Sequence, residues 1–391
     1  DFGQPESMRS MILGMQTRFL VLGAGFGGLE LASRLSDAFG AEADVTLIDK
    51  SDGFVFGFSK FELMFGRATV SEVTHRYGDL IRPGVTFRQE TITSIDPVTR
   101  RVTTDRTTHE ADVLVVALGA EYDPAATPGF VEGGHEFYSV SGALALRDVL
   151  AAFTGGSLVI GVLGHPFKCP PAPCEAAMLL DDWMVAQGSR ASSTITLISP
   201  LETPIPPSPD ASRAILDHFT AHGITYVANQ KVTRLDPEAK TVHTDAGVTY
   251  SYDLFLGIPI HRVPTVVEES GLAVDGWIPV DETNLATRFP EVFAIGDVTT
   301  AIVPKAGVFA ESAARAVASH LIDRAEGGAQ FRRFDGKGHC YIEFGGSRVG
   351  RVDVDFLTGP QPTAPFTQPS PEVTAEKAQF GATRRRRWFG G

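Results

Sequence analysis

The chain is 391 residues long, 43% hydrophobic, and carries a net charge of −13. That length supports two or three packed globular domains, and the acidic balance excludes a nucleic-acid binder, which needs clustered Lys and Arg on its main surface. Three cysteines are too few, and odd in number, for a disulfide scaffold, so catalytic or redox use competes with inert burial.

The lead-in holds Met8, Met11 and Met15 without a clear pattern, and "FLVLG" is too short for the core of an export signal. "RFLVLGAGFGGLELASRL" then reads as an apolar strand, a glycine turn and a helix beginning near Phe26. In a dinucleotide fold Gly23 makes the tight turn, Gly25 lets a pyrophosphate approach the backbone, and Gly28 packs helix against strand. "DVTLIDK" follows as a second strand ending in Asp49, where a carboxylate accepts hydrogen bonds from a ribose.

Residues 83–105 and 222–245 match in order: a Gly-led strand, a turn containing Ile95-Asp96-Pro97 or Leu235-Asp236-Pro237, and a return strand. Each is followed by a buried strand, "ADVLVVALGA" or "YDLFLGIPIH". This internal repeat predicts two related nucleotide-fold units.

The second unit's glycine turn should fall in "SLVIGVLGHPFKCPPAPCEAAMLLDDWM", a strand, a loop and a helix. Gly161 and Gly164 are present, but a bulky Phe167 and four prolines replace the close-approach glycines, so the loop cannot offer consecutive N–H groups to a pyrophosphate. The next strand, "STITLISP", ends in Ser199 and Pro200 instead of a ribose-binding carboxylate or a phosphate-binding Arg. The second unit is therefore expected to have lost NAD(P), with cysteines in the remains of that site.

"FPEVFAIGDVTTAIVPKAGVFAESAARAVASHL" gives a strand, Gly296-Asp297, a loop and an Ala-rich helix from about Ala306. A carboxylate after such a strand can hold a ribityl hydroxyl, and a helix N-terminus favours negative charge on a reduced ring. Beyond it, residues 358–381 are Pro-rich and polar and read as a mobile or contact-ordered connection. In "RRRRWFGG" four cations stand beside Trp388 and Phe389, which suits either a solvated, frayed tail or contact with an anionic membrane. No run reaches the ~18 apolar residues of a membrane span, and cysteines without a pairing histidine motif do not make a zinc site, so no metal is expected.

Gly23-Ala24-Gly25, Asp49, "VVALGA" and "AIGD" resemble the FAD motifs of the flavoprotein disulfide reductase superfamily over most of residues 17–325. Within it, "KCPPAPCEAA", "VPKAGVFAE", "GHCYIEFGG" and the ending "FGATRRRRWFGG" resemble sulfide:quinone oxidoreductases and the flavoprotein of flavocytochrome c sulfide dehydrogenase. The resemblance implies an α/β fold of two Rossmann-like domains, as in glutathione reductase, plus a C-terminal extension. The expected FAD-binding domain is discontinuous, 15–125 and 281–330, around a second domain at 126–280 with a degenerate NAD site. A region from 331 to 391 carries the late cysteine and the basic end.

The implied cofactor is FAD, held by Gly23, Gly25, Phe26, Gly27, Gly28, Asp49, Lys50, Ile92, Ala117, Gly119, Gly296, Asp297, Lys305, Ala306 and Gly307. Cys169 and Cys340 are the implied redox pair, and Lys305 the cation for the reduced ring. Cys174 departs from the family pattern: it is either an auxiliary sulfur-handling thiol or a small residue opening a helix whose positive end lowers its pKa. Glu175 reads first as a carboxylate satisfying that helix end, and His165 as incidental. The implied reaction oxidises sulfide to polysulfide or elemental sulfur and reduces a membrane quinone, at a peripheral site on the cytoplasmic face with Arg384–Phe389 on the anionic surface. A homo-oligomer stays open. The competing readings are an NADH:quinone oxidoreductase, a soluble thiol or persulfide reductase, and a flavoprotein subunit feeding a separate cytochrome.

Overall fold

A computed structural model describes residues 17–328 and 331–390. The lead-in with Met8, Met11 and Met15 lies outside the described residues. Five parallel strands form the first sheet in the order Val292–Ala294, Val113–Val116, Arg18–Leu22, Asp44–Asp49, Val85–Gln89. Residues 113–116 are buried throughout, as parallel strands covered on both faces require. The glycine turn leads from Arg18–Leu22 into the helix Phe26–Phe39, and a second helix, Gly307–Ala325, lies against it.

A smaller parallel sheet repeats the plan in the order Ile224–Val227, Ser193–Ile198, Gly156–Val162, Leu254–Ile258. The repeat extends to its antiparallel meanders. Ile92–Asp96 and Val232–Asp236 each break register against their return strands, between Ile92 and Ser94 and between Val232 and Arg234. At matching places the Thr91 N–H donates to Asp105 at 2.9 Å and the Lys231 N–H donates to Asp245 at 2.9 Å. Such shared detail in bulge and turn marks two copies of one unit.

The chain crosses between the sheets twice, through Glu121–Asp123 and Ile260–Arg262, which pair antiparallel. After the second crossing Val263, Val267, Leu272 and Ile278 pack with Leu20, Leu22 and Leu114 of the first sheet. Their side chains thus complete the core of the first unit, ahead of the position 281 at which the sequence motifs show its return.

The largest departure from expectation is the C-terminal region. Residues 358–381 are not a loose connection: Phe366–Ser370 joins Lys337–Glu343 and Val349–Asp355 in an antiparallel sheet, and Pro371–Phe389 is a 19-residue helix. Ser370 caps it, its hydroxyl accepting from the Val373 N–H, with Pro371 at the first helical position, where its missing N–H costs nothing. The end of this helix is not a frayed tail either. Trp388 and Phe389 are buried among Phe54, Phe56 and Tyr77. The indole N–H donates to Glu30 at 2.9 Å, Arg387 bonds Glu30 and Asp37, and Arg384 pairs with Glu311. Of the segment Arg384–Phe389, only Arg385 and Arg386 are fully exposed. The aromatic pair is thus inside the protein, because Glu30, buried on the first helix, supplies the counter-charge that sequence proximity could not reveal. Burial alone would raise the Glu30 pKa, but Trp388 and Arg387 hold it below the usual carboxylate range.

No helix among the described residues is long and apolar enough to cross a membrane.

Candidate active site

One cavity of about 500 Å³ lies where the first sheet, the second unit's loop and the C-terminal sheet meet. Gly23, Gly25, Phe26, Gly27, Asp49, Lys50, Ile92, Ala117, Gly119, Gly296, Asp297, Lys305, Ala306 and Gly307 all line it. Gly28 does not; a Cβ there would run into the Gly23 carbonyl oxygen, which is the close helix-to-strand packing expected of it. Gly23 has φ +98° and would drive a Cβ into the Ala117 carbonyl, whereas Gly25 faces open space. Asp49 accepts from the Ala24 N–H at 2.8 Å, locking the turn, and from the Ser51 N–H at 2.8 Å.

The starts of the helices Phe26–Phe39 and Gly307–Ala325 both reach the cavity, and neither has an acidic residue in its first turn. Two positive helix ends on an open backbone suit an anionic dinucleotide. Lys305 is buried; its Nζ donates to the carbonyls of Asp297 at 2.7 Å and Thr299 at 3.2 Å and sits 3.3 Å from the Trp277 ring centroid. Burial lowers its pKa to about 8, with Asp297 opposing.

At the far end the cavity is lined by Cys169, Cys340 and Glu175. Cys169 adopts φ +51°, a conformation uncommon outside glycine and often found at functional turns, and its N–H donates to the Lys305 carbonyl at 2.8 Å. Cys340 arrives on the strand Lys337–Glu343. Burial pushes both thiols up, Cys340 to about 12, and the Glu175 carboxylate pushes both further; Cys340 also raises Cys169. The pair is therefore close enough to interact, with Glu175 acting on each. Glu175 itself is raised to about 7 by burial, against the pull of Lys377, and it accepts from the Glu343 N–H at 3.0 Å. Lys377, from the C-terminal helix, pairs with Glu343.

Cys174 is placed elsewhere. It is buried in the core of the second unit, packed with residues such as Phe167 and Met178, and does not line the cavity. Its thiol is pushed up, not down: burial first, and Glu175 second, outweigh the positive helix end. His165 likewise does not line the cavity, and burial lowers its pKa.

A family profile described as pyridine nucleotide-disulphide oxidoreductase matches residues 17–319. The chain belongs to this family. Among members, the mitochondrial sulfide:quinone oxidoreductase of Mus musculus is 26% identical over 375 residues, covering 91% of this chain and 82% of that protein. The alternative NAD(P)H-ubiquinone oxidoreductase C1 of Arabidopsis thaliana is 25% identical over 72% of this chain and 61% of its own length. The crystal structure of the Aquifex aeolicus sulfide:quinone oxidoreductase superposes with a TM-score of 0.82 at 21% identity, covering 96% of this chain and 93% of that one. The fold is therefore the α/β fold of this oxidoreductase family, and the chain is a flavoprotein whose cofactor is FAD. The residues present fit that group: the open backbone at Gly25, the two helix ends, the half-buried Asp297 and the buried Lys305 all face one cavity.

Sequence reasoning undervalued Glu175 and missed Lys60, Lys168, Tyr122, Tyr138, Lys377 and Phe380, which also line the cavity. Glu175 and Lys168 carried a signal, each one residue from a cysteine of the same segment; the others come from separate elements that only the fold assembles.

Proposed function

We propose that the chain is an FAD-dependent sulfide:quinone oxidoreductase working through Cys169 and Cys340. The observation that carries the reading is their convergence, from the second unit's loop and the C-terminal sheet, at the end of the cofactor cavity beside Glu175. Hydrosulfide attacks a Cys169–Cys340 disulfide; the S–S bond breaks, one sulfur becomes a persulfide and the other leaves as a thiolate. Desolvation raises both half-buried thiols, so a thiolate there is costly. Lys377 opposes that cost at Cys169, and Glu175, balanced near neutral pH, takes or returns the proton. When bound, FAD supplies the acceptor for the sulfur's electron pair and the donor to the quinone.

Gly23, Gly25 and the start of the helix Phe26–Phe39 would hold its phosphates, Asp297 a ribityl hydroxyl, and Lys305 with the start of the helix Gly307–Ala325 the charge of the reduced ring. Phe58, His339, Tyr341 and Phe380 form an aromatic wall, with Phe380 5.6 Å from His339 and 5.8 Å from Tyr341. That wall suits a flat apolar quinone ring. The exposed Arg385 and Arg386 one to two turns along the same helix would face an anionic membrane on the cytoplasmic side.

The test is sulfide-dependent reduction of a short-chain quinone by purified holoenzyme. The reading requires turnover with sulfide and none with NADH. Turnover with NADH alone would replace it with the NADH:quinone reading, and flavin reduction by sulfide without quinone turnover would point to a cytochrome partner.

A further inference from the structure

Lys60, from the short helix Ser59–Met64, and Lys168, next to Cys169 in the loop, line the cavity on the side of the reactive thiol. Lys168 is anchored: its Nζ donates to the Ala120 carbonyl at 2.7 Å and lies 4.4 Å from the Tyr122 ring centroid. The surrounding wall is braced by tyrosines, with the Tyr138 hydroxyl donating to the Lys168 carbonyl at 3.0 Å and the Tyr122 hydroxyl to the Tyr138 carbonyl at 3.1 Å. Lys60 differs, because its ammonium makes no hydrogen bond, ion pair or ring contact with any described residue.

Two like charges in a low-dielectric cavity repel, and neither has a carboxylate bonded to it. Burial, above all, holds the Lys60 pKa down, and Lys168 adds to that effect, whereas Tyr122, Glu136 and Cys169 favour its charged form. The nearby carboxylate of Asp297 is shared among Lys168, Lys305 and Lys60, in that order of effect, so no one of the three cations has it alone. Phosphates are provided for elsewhere, at Gly25 and the start of the helix Phe26–Phe39. A cation without a bonded partner beside an anchored one, next to a nucleophile-accepting sulfur, is an arrangement that an incoming small anion completes.

We propose that Lys60 and Lys168 form an anion subsite that holds a small sulfur anion, hydrosulfide or the terminal sulfur of a growing polysulfide, in line with Cys169. This rests on the sulfide reading and adds the residues that recognise the substrate. On a chain of net charge −13 an anion is disfavoured at long range. A local cation pair in a low-dielectric cleft offsets that and the loss of hydration. Lys168 fixes the position and Lys60 closes on the anion, so both act in substrate binding more than in the sulfur chemistry.

The experiment uses the holoenzyme and two readouts. Thiocyanate, a sulfur anion that does not reduce the flavin, is titrated against the oxidised flavin band, and it is also tested as a competitor in steady-state sulfide oxidation. Lys60→Gln should raise the thiocyanate Kd and the sulfide KM together by about tenfold, equivalent to about 1.4 kcal/mol, with a smaller change in kcat. Lys60→Arg should restore both, and Lys168→Gln should weaken both with FAD content retained. An unchanged thiocyanate Kd in Lys60→Gln, or a loss of FAD content that accounts for the whole effect, overturns the proposal. Failure of sulfide to reduce the wild-type flavin sinks the sulfide reading instead, and the thiocyanate titration still reads the subsite.

Discussion

The strand-loop-helix corner at residues 18–39 and its counterpart at 156–187 share one plan and present opposite surfaces to the cavity. The first offers open backbone at Gly25 and a helix that starts without a charged residue. The second offers Cys169 at φ +51° and a helix that starts with Glu175 in its first turn. Their buried glutamates diverge in the same way. Glu30, paired with Trp388 and Arg387, is held ionised, while Glu175, short of donors, is raised to about 7 by burial. A duplicated scaffold thus keeps its geometry while a few substitutions put a cysteine and a buried carboxylate where the first corner has open backbone.

Removing the sulfur from the second corner should have the largest effect. Cys169→Ser or Cys340→Ser is expected to lower sulfide-dependent flavin reduction on the order of 10³-fold, read by stopped-flow absorbance, with FAD still bound. Retention of more than a tenth of the wild-type rate in either variant would detach the corner from the chemistry.

In the first corner, Trp388→Ala opens the aromatic cluster around Phe26 and leaves Glu30 without one of its donors. A loss of about 4 kcal/mol is expected in denaturant unfolding, with FAD released early because Phe26 lines the cavity. Gly28→Ala should cost about 3 kcal/mol, since its Cβ meets backbone and not a flexible side chain. Equal melting of variant and wild type would show that the helix can slide off the strand.

The glutamates predict opposite pH slopes. The folded pKa of Glu175 lies above its unfolded value of about 4.5, so its contribution is present below that value and is lost as pH rises towards 7. Glu30 has a depressed folded pKa, so its contribution is present above its unfolded value and is lost as pH falls. Glu175→Gln should therefore flatten the decline between those pH values by roughly 2 kcal/mol, and should remove a near-neutral step from the pH profile of sulfide oxidation. An unaltered profile would take Glu175 out of proton transfer. The smallest effect expected is that of Ser199→Asp, which restores an acidic strand end but not the loop; NADH should still leave the flavin oxidised.

Much of this contrast was legible in the sequence because local chemistry dictates it. A tight turn with φ +98° needs Gly23, and prolines in place of glycines deny the second loop the consecutive N–H groups of the first. The internal repeat exposed the second unit even where its motif had changed. The C-terminal helix was not legible, because its polar, Pro-led sequence gains stability from Glu30 and Glu311, hundreds of residues upstream or folded from another element. Cys174 misled because a helix-end argument says nothing of burial, and burial decides its pKa. Lys60 carried no motif at all; only its place in the cavity gives it meaning.

The most direct test is an anaerobic titration of the oxidised holoenzyme with sulfide and, in parallel, with NADH, following the flavin band. Bleaching by sulfide that is absent from Cys169→Ser and Cys340→Ser, with no response to NADH, is the predicted result. Bleaching by NADH with indifference to sulfide would contradict it, and would mean that the second corner still binds a nucleotide and its cysteines serve only packing.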